Sequence, residues 1–311
     1  MEESRHKSWI PHGFDYRSGP ELARLRRITE EFRQITGAAG FQEIVPPLLD
    51  YEAALRLPGE ISFTVKDRRG ERLALRSDMT IQIIKAVANH RLPPSGAGIW
   101  QISYCQPIFR DSSWGQGHRR EIMQAGVEVI EKSKSVAPAA LLHLALKFLR
   151  QLGCQVRILY GDSRVVAAVL RPFPHSLQED LRSALYLRDV SVLRHILKND
   201  ASPAAQLLYR LPFLFGGPER LAELMQLTSD PEVTGYLKEA EEIYTEEIVY
   251  DFALIRPLPY YTGPVFEGYM EGSREEILAG GVYDALFGNF SRETASCAGF
   301  AINMGEIVRG I

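Results

Sequence analysis

The strongest constraint on the fold is the run from Arg119 to Ile130, in which bulky apolar residues alternate with polar or small ones almost without a break. A period of two predicts an extended strand with two unlike faces. Met123, Ala125, Val127 and Val129 would share one face, and Arg120, Gln124, Gly126 and Glu128 the other. The first face is apolar and the second has the make-up of a site. Gln124 and Glu128 flank Gly126, whose missing side chain would leave room for a ligand to approach the backbone. Spacing alone favours a plainer alternative, a polar strand side turned to solvent.

The segments around this run predict more strands on both sides of a helical block. Ser18-Gly19-Pro20-Glu21 has the form of a capping box, and Leu22, Leu25, Ile28, Phe32 and Ile35 follow at helical spacing as far as Gly37. Phe41 to Val45 is a short strand stopped by Pro46 and Pro47. Ile61 to Lys66 and Arg72 to Arg76 read as a hairpin, Met79 to His90 as a helix, and Ile99 to Cys105 and Ile108 to Arg110 as strands. A helix opened by Pro138 and closed by Gly153 precedes the strand Val156 to Tyr160. Residues 162–247 are leucine-rich and helical, broken repeatedly by proline, after which alternation returns from Ile248 to Leu254. Two more strand-like runs and a short helix close the chain. The expected architecture is α+β: a core of residues 1–161 and 248–311 holding one sheet, interrupted by a helical insertion over 162–247.

Composition removes several function classes. With 311 residues, 45% of them hydrophobic and 24% charged, the chain can bury a substantial core, which excludes a disordered or collagen-like protein. No apolar stretch reaches the length needed to cross a bilayer, and Met1 to Ser8 is too polar for a signal peptide, so no membrane partner and a cytoplasmic location are expected. Cys105, Cys154 and Cys297 form no CxxC pair and read as three buried thiols; no metal and no cofactor are expected. A net charge of −3 argues against a chain whose main task is holding nucleic acid. The densest basic cluster, Lys66, Arg68, Arg69 and Arg72, reads as a solvated hairpin tip.

Pro107-Ile108-Phe109-Arg110, a polar loop from Asp111 to Gly117 and the long strand together resemble motif 2 of class II aminoacyl-tRNA synthetases. Gln124-Ala125-Gly126-Val127-Glu128-Val129 is similar to the histidyl enzymes in particular. Gly40-Phe41-Gln42-Glu43-Ile44 with Pro47 resembles motif 1, the dimer-forming helix and strand. Arg256-Pro257-Leu258-Pro259-Tyr260-Tyr261, followed by Val265-Phe266-Glu267, resembles the histidyl signature Arg-Gly-Leu-Asp-Tyr-Tyr with its Val-Phe-Glu. Ala279-Gly280-Gly281-Val282-Tyr283-Asp284 resembles that family's Ala-Gly-Gly-Arg-Tyr-Asp segment. Five segments in one order make coincidence a poor explanation. The resemblance implies a class II synthetase-like antiparallel sheet flanked by helices, a homodimer through the Glu21 to Thr36 helix, and a pocket for free L-histidine. Within that pocket it implies that Asp78, Thr80 and Gln124 receive the ammonium group, and that Arg256, with Arg110 nearby, holds the carboxylate. Glu128 and Tyr261 would hydrogen-bond the imidazole, while Tyr260 and Gly280-Gly281 shape the floor. Asp78 stands where the family has Glu, which shortens the reach by one methylene.

The same resemblance exposes departures on the ATP side. Gly299 to Ile307 occupies the place of motif 3, and Glu306 falls where that motif carries its ATP-binding arginine, an inversion of charge facing a triphosphate. Arg110-Asp111-Ser112 replaces the family's Arg-x-Glu, and Pro257 and Pro259 stiffen the signature loop. The chain ends at Ile311, where a synthetase would continue into an anticodon-binding domain. A kept histidine pocket beside a damaged ATP site resembles one paralogous family, the regulatory subunits of ATP phosphoribosyltransferase. Membership there implies no catalytic residues, a partner in the short-form catalytic subunit, a homodimer within a hetero-oligomer, and feedback inhibition by L-histidine at the first step of histidine biosynthesis. The alternatives are a histidyl-tRNA synthetase catalytic domain forming histidyl-adenylate, for which Arg110, Arg120 and Arg256 are retained, a sensor of uncharged tRNA, and a domain without a ligand.

Overall fold

The computed structural model describes residues 10–55, 63–96, 98–111, 119–256, 260–273 and 275–310. Its elements begin with α1 (Gly19–Ala38), β1 (Gln42–Glu43), β2 (Leu49–Tyr51), α2 (Glu52–Leu55), β3 (Thr64–Lys66), β4 (Arg72–Leu75) and α3 (Thr80–Ala88). Next come β5 (Ile99–Phe109), β6 (Glu121–Glu131), α4 (Pro138–Gln151) and β7 (Val156–Asp162). The helical block holds α5 (Ser163–Leu170), α6 (His175–Tyr186), α7 (Val190–Ile196), α8 (Pro203–Arg210), β8 (Phe215–Gly216), α9 (Pro218–Leu227) and α10 (Pro231–Glu241). The chain closes with β9 (Ile248–Asp251), β10 (Pro264–Met270), β11 (Glu276–Val282), α11 (Asp284–Gly288), β12 (Ser296–Asn303) and α12 (Met304–Gly310).

Among the described residues nine strands form one sheet in the order β1-β5-β6-β12-β11-β10-β7-β9-β8, and β2-β4-β3 form a small second sheet. The alternating run is β6, paired antiparallel with β5 from Glu121 to Glu131 and with β12 from Gln124 to Glu131. The large sheet is mixed, which corrects the antiparallel expectation: β1 runs parallel to β5 and β7 parallel to β9. The cause is the connections. Parallel neighbours need long crossovers, and the helices α5 to α10 return the chain so that β9 lies beside β7 in the same direction, as the small sheet and α3 do between β1 and β5.

Local expectations fail where tertiary partners outweigh them. Ser18 is extended and makes no side-chain cap, and Glu21 meets Arg119 at 3.5 Å instead; proline in the first turn still opens α1. The strands expected at Ile99 to Cys105 and Ile108 to Arg110 are one strand, β5, with Pro107 inside it opposite Met123. The Pro107 carbonyl accepts Arg76 Nε at 2.8 Å. The basic tip between β3 and β4 is exposed, and Arg72 pairs with Glu52. All three cysteines are buried and free.

Apolar packing divides across the sheet. Ala125, Val127 and Val129 lie in one core with Leu25, Ile28 and Phe32 of α1 and Leu142, Leu146 and Phe148 of α4, where the rings of Phe32 and Phe148 meet edge to face at 5.3 Å. Each such fully buried large side chain contributes about 1.5–3 kcal/mol. The same core continues into the helical block through Val165, Leu181, Leu208 and Leu237. The opposite face of β6 is covered by α3, α11 and a second cluster that includes Trp100, Tyr104, Tyr260 and Tyr283. Gln124 and Glu128 are therefore 7% and 1% exposed, which rules out a polar strand side simply turned to solvent. Among the described residues no helix is long and apolar enough to cross a membrane.

Candidate functional site

A cavity of about 440 Å³ opens over that buried polar face, within the range of small-molecule sites. Asp78, Thr80, Arg110, Gln124, Arg256, Tyr260 and Tyr261 all line it, although they come from α3 and the turn before it, the residue after β5, the first half of β6 and the connection between β9 and β10. Glu128, the eighth candidate, sits behind the lining, where its Oε1 accepts Thr80 Oγ1 at 2.7 Å. Arg120 is drawn elsewhere. The strand begins only at Glu121, because Arg120 N bonds to Gly13 O at 2.8 Å, and its guanidinium pairs with Asp111 and stacks over Phe63.

The α3 end of the site is fixed by a buried arginine outside the candidate set. Arg76 Nη1 donates to Pro46 O at 2.7 Å and Nε to Pro107 O, which ties the turn before α3 to the Pro-Pro break and to β5. Helix α3 then begins under Asp78, whose Oδ1 accepts Ile81 N at 3.1 Å and whose neighbour Ser77 offers its carbonyl to Arg110 Nε at 3.2 Å. The aromatic wall is a set of three tyrosines, with Tyr260 and Tyr261 at 5.0 Å between ring centroids and Tyr283 edge-on to both.

Gly126 has a different use from the one its position suggested. A Cβ there would fall 2.4 Å from Tyr104 Oη and 2.3 Å from Phe300 O, so the space is filled by the protein itself. Gly299 is the counterpart on β12, facing Glu128. A Cβ on it would sit 2.2 Å from Glu128 Oε2 and 2.5 Å from Tyr283 Oη.

Burial dominates the electrostatics. It raises Asp78, against the positive charge of Arg110 and backbone donors at Ile81 and Thr80. Glu128 is pushed well above the usual carboxylate range, chiefly by burial and further by the charge of Asp78, with the Thr80 hydrogen bond opposing. Glu128 Oε2 and Gln124 Oε1 have no hydrogen-bond partner among the described residues. Each leaves an uncompensated polar atom beside the cavity, and an unmade hydrogen bond of this kind is costly. The folded chain keeps the Glu128 proton at pH values where the unfolded chain has lost it. This group's contribution to stability is thus full below its unfolded value of about 4.3 and declines as pH rises, by up to about 1.4 kcal/mol per unit. Glu128→Gln cannot titrate, so urea unfolding from about pH 5 to about pH 8 should show the variant gaining on the wild type with rising pH. Parallel stability curves would mean that Glu128 ionises as an ordinary carboxylate.

At the far end Arg256 is paired with Glu267 and Glu276. Burial opposes its charge, and the carboxylates more than offset that and hold the guanidinium protonated. The arrangement can receive a cation beside Asp78, face a flat polar ring with Tyr260 and Tyr261 while Glu128 lies buried behind Thr80, and meet an anion near Arg256 and Arg110. Sequence reading missed Tyr104, Tyr283, Arg119, Asn303 and Glu276. Tyr104 was within reach, since it alternates on β5 and pairs with Gly126.

The expected ATP side holds carboxylates. Glu306 lies in the first turn of α12, paired with Arg309, in a recess it shares with Glu275, which also lines the main cavity. Burial raises Glu306, and the charge of Arg309 opposes. Asn303 lines the cavity and caps α12, its Oδ1 accepting Gly305 N at 3.1 Å. Residues 112–117 of the motif 2-like loop, and Pro257 and Pro259, lie outside the described residues.

A family model described as histidyl-tRNA synthetase matches residues 13–307. The ATP phosphoribosyltransferase regulatory subunit of Desulfitobacterium hafniense (strain Y51) is 27% identical over 315 residues, covering 96% of this chain and 81% of the relative. The protein of the same name from Thermus thermophilus is 28% identical over 311 residues, covering 97% and 83%. Among solved structures, an ATP phosphoribosyltransferase regulatory subunit/histidyl-tRNA synthetase from Bacillus halodurans C superposes with a TM-score of 0.84 at 25% identity, covering 96% of this chain and 82% of that one. A histidine–tRNA ligase subunit from Alicyclobacillus acidocaldarius shares the fold, with a TM-score of 0.70 at 21% identity and 96% coverage of both chains.

Proposed function

The chain belongs to the histidyl-tRNA synthetase family, and we propose that within it the chain serves as a non-catalytic regulatory subunit of ATP phosphoribosyltransferase. In this reading it activates the short-form catalytic subunit and binds L-histidine to relay feedback inhibition of the first step of histidine biosynthesis. The observation that carries the reading is a single asymmetry. Seven of the eight candidate histidine-binding residues line one cavity with the eighth directly behind, while the position expected to hold an ATP-binding arginine holds Glu306. A carboxylate repels the triphosphate that an arginine would attract. The names of the curated relatives support the same assignment.

Asp78, Thr80 and Gln124 then receive the ammonium group, Arg256 and Arg110 the carboxylate, and Glu128 with Tyr261 the imidazole, over a floor shaped by Tyr260 and Gly280. A homodimer through α1 and β1 completes the assembly with the catalytic subunit. Relay requires histidine to bind the inhibited and active complexes with different affinity, and the linkage is reciprocal. The test is reconstitution: purified short-form catalytic subunit is assayed for ATP condensation with phosphoribosyl pyrophosphate, alone, with this chain, and with this chain plus L-histidine. Activation by the chain and its reversal by histidine are expected. A catalytic subunit whose rate is indifferent to the chain contradicts the assignment.

A further inference from the structure

The carboxylate-binding arginine of the cavity is already engaged. Arg256 Nη1 donates to both Glu267 and Glu276, and Nη2 gives Glu276 a second bond at 3.2 Å, the forked geometry by which an arginine grips a carboxylate ligand. The two acids are unequal. The side chain of Glu267 is 11% exposed, and its Oε2 accepts Tyr269 Oη at 2.8 Å, so it is fixed on both oxygens. Glu276 lines the cavity with a side chain 35% exposed, at the first residue of β11.

A fault in the sheet puts it there. The register of β10 against β11 slips by one between Gly268 and Tyr269, so Tyr269 faces Glu276 where an unbroken ladder would give it Ile277. Directly opposed residues share a face, and Tyr269 shares one with Glu267 two positions away. The bulge thereby turns Glu276 from the other side of the sheet onto the face that holds Glu267 and Arg256, a use of bulges seen at sites elsewhere.

We propose that Glu276 is an internal competitor for the ligand's carboxylate. It holds Arg256 in the free chain and swings toward solvent when a ligand carboxylate takes its place. This rests on the reading of the cavity as an amino-acid site. A third carboxylate cannot join the two already on one buried guanidinium without severe like-charge repulsion, and Glu276, the more exposed, is the one that can leave. Glu276 thus weakens binding of ligands that carry a carboxylate and leaves those without one untouched, which sets the concentration at which the site fills.

Calorimetric titration of wild type, Glu276→Gln and Glu276→Ala with L-histidine and with L-histidinol, which has a hydroxymethyl group in place of the carboxylate, tests this directly. Both variants should bind L-histidine about tenfold more tightly than wild type, the scale of one charged hydrogen bond, with L-histidinol affinity unchanged. The competitor role is overturned if wild type binds L-histidine and the variants bind it no more tightly, or if L-histidinol tightens to the same degree. If no form binds L-histidine, the amino-acid reading of the cavity fails, and the competitor role with it.

Discussion

Asp78→Asn should weaken L-histidine binding about 100-fold while leaving stability to urea almost unchanged. Asp78 has two duties that this substitution separates. Its Oδ1 accepts Ile81 N at the start of α3, and asparagine caps helices as well as aspartate does, so the fold keeps its hydrogen bond. The negative charge is lost. Asp78 is 7% exposed and feels the positive charge of Arg110, so the neutral variant leaves an arriving ammonium group near that arginine without a compensating carboxylate. Removing one partner of a buried charge pair costs about 2–5 kcal/mol, and about 1.4 kcal/mol is a factor of ten in affinity. Titration calorimetry on both proteins reads the effect, and an unchanged affinity would remove Asp78 from the site.

Arg256→Met should lower the free energy of unfolding by about 3–5 kcal/mol, read from urea denaturation. The Arg256 side chain is only 10% exposed, and its removal strands the acids it joins, Glu267 most of all. The cost comes from the carboxylates left behind, so adding Glu267→Gln and Glu276→Gln to Arg256→Met should recover most of it. A loss below about 1 kcal/mol for the single variant would place this network among ordinary surface pairs. Neither the single variant nor the triple should bind L-histidine, which separates the structural duty of Arg256 from its proposed part in binding.

These effects follow from features of unequal legibility. The alternation of β6 was plain in the sequence because a strand buried on both sides, with apolar helices on one and a polar cavity on the other, must keep its two faces distinct. Asp78, Arg110, Arg256 and the tyrosine pair became candidates only through resemblance; nothing local distinguishes an arginine after a strand from a surface charge. Glu276 could not be found in either way, since a one-residue slip in pairing decides which face it occupies, and a slip leaves no periodic trace. Gly126 was misread for a related reason. A glycine between two polar residues invites a ligand, and only the register that sets Tyr104 against it shows that the protein fills the gap. The parallel pairings of β1 with β5 and β7 with β9 were hidden because strand direction depends on how long crossovers pack, not on the composition of the strands.

A histidine site joined to a disabled ATP site is tested by titrating the chain with L-histidine and then with ATP, alongside an assay of histidine-dependent ATP–pyrophosphate exchange. The expected result is saturable binding of L-histidine, no binding of ATP and no exchange. ATP binding accompanied by exchange would contradict it and make the chain a synthetase domain, and a chain that takes up neither ligand would contradict the histidine site itself.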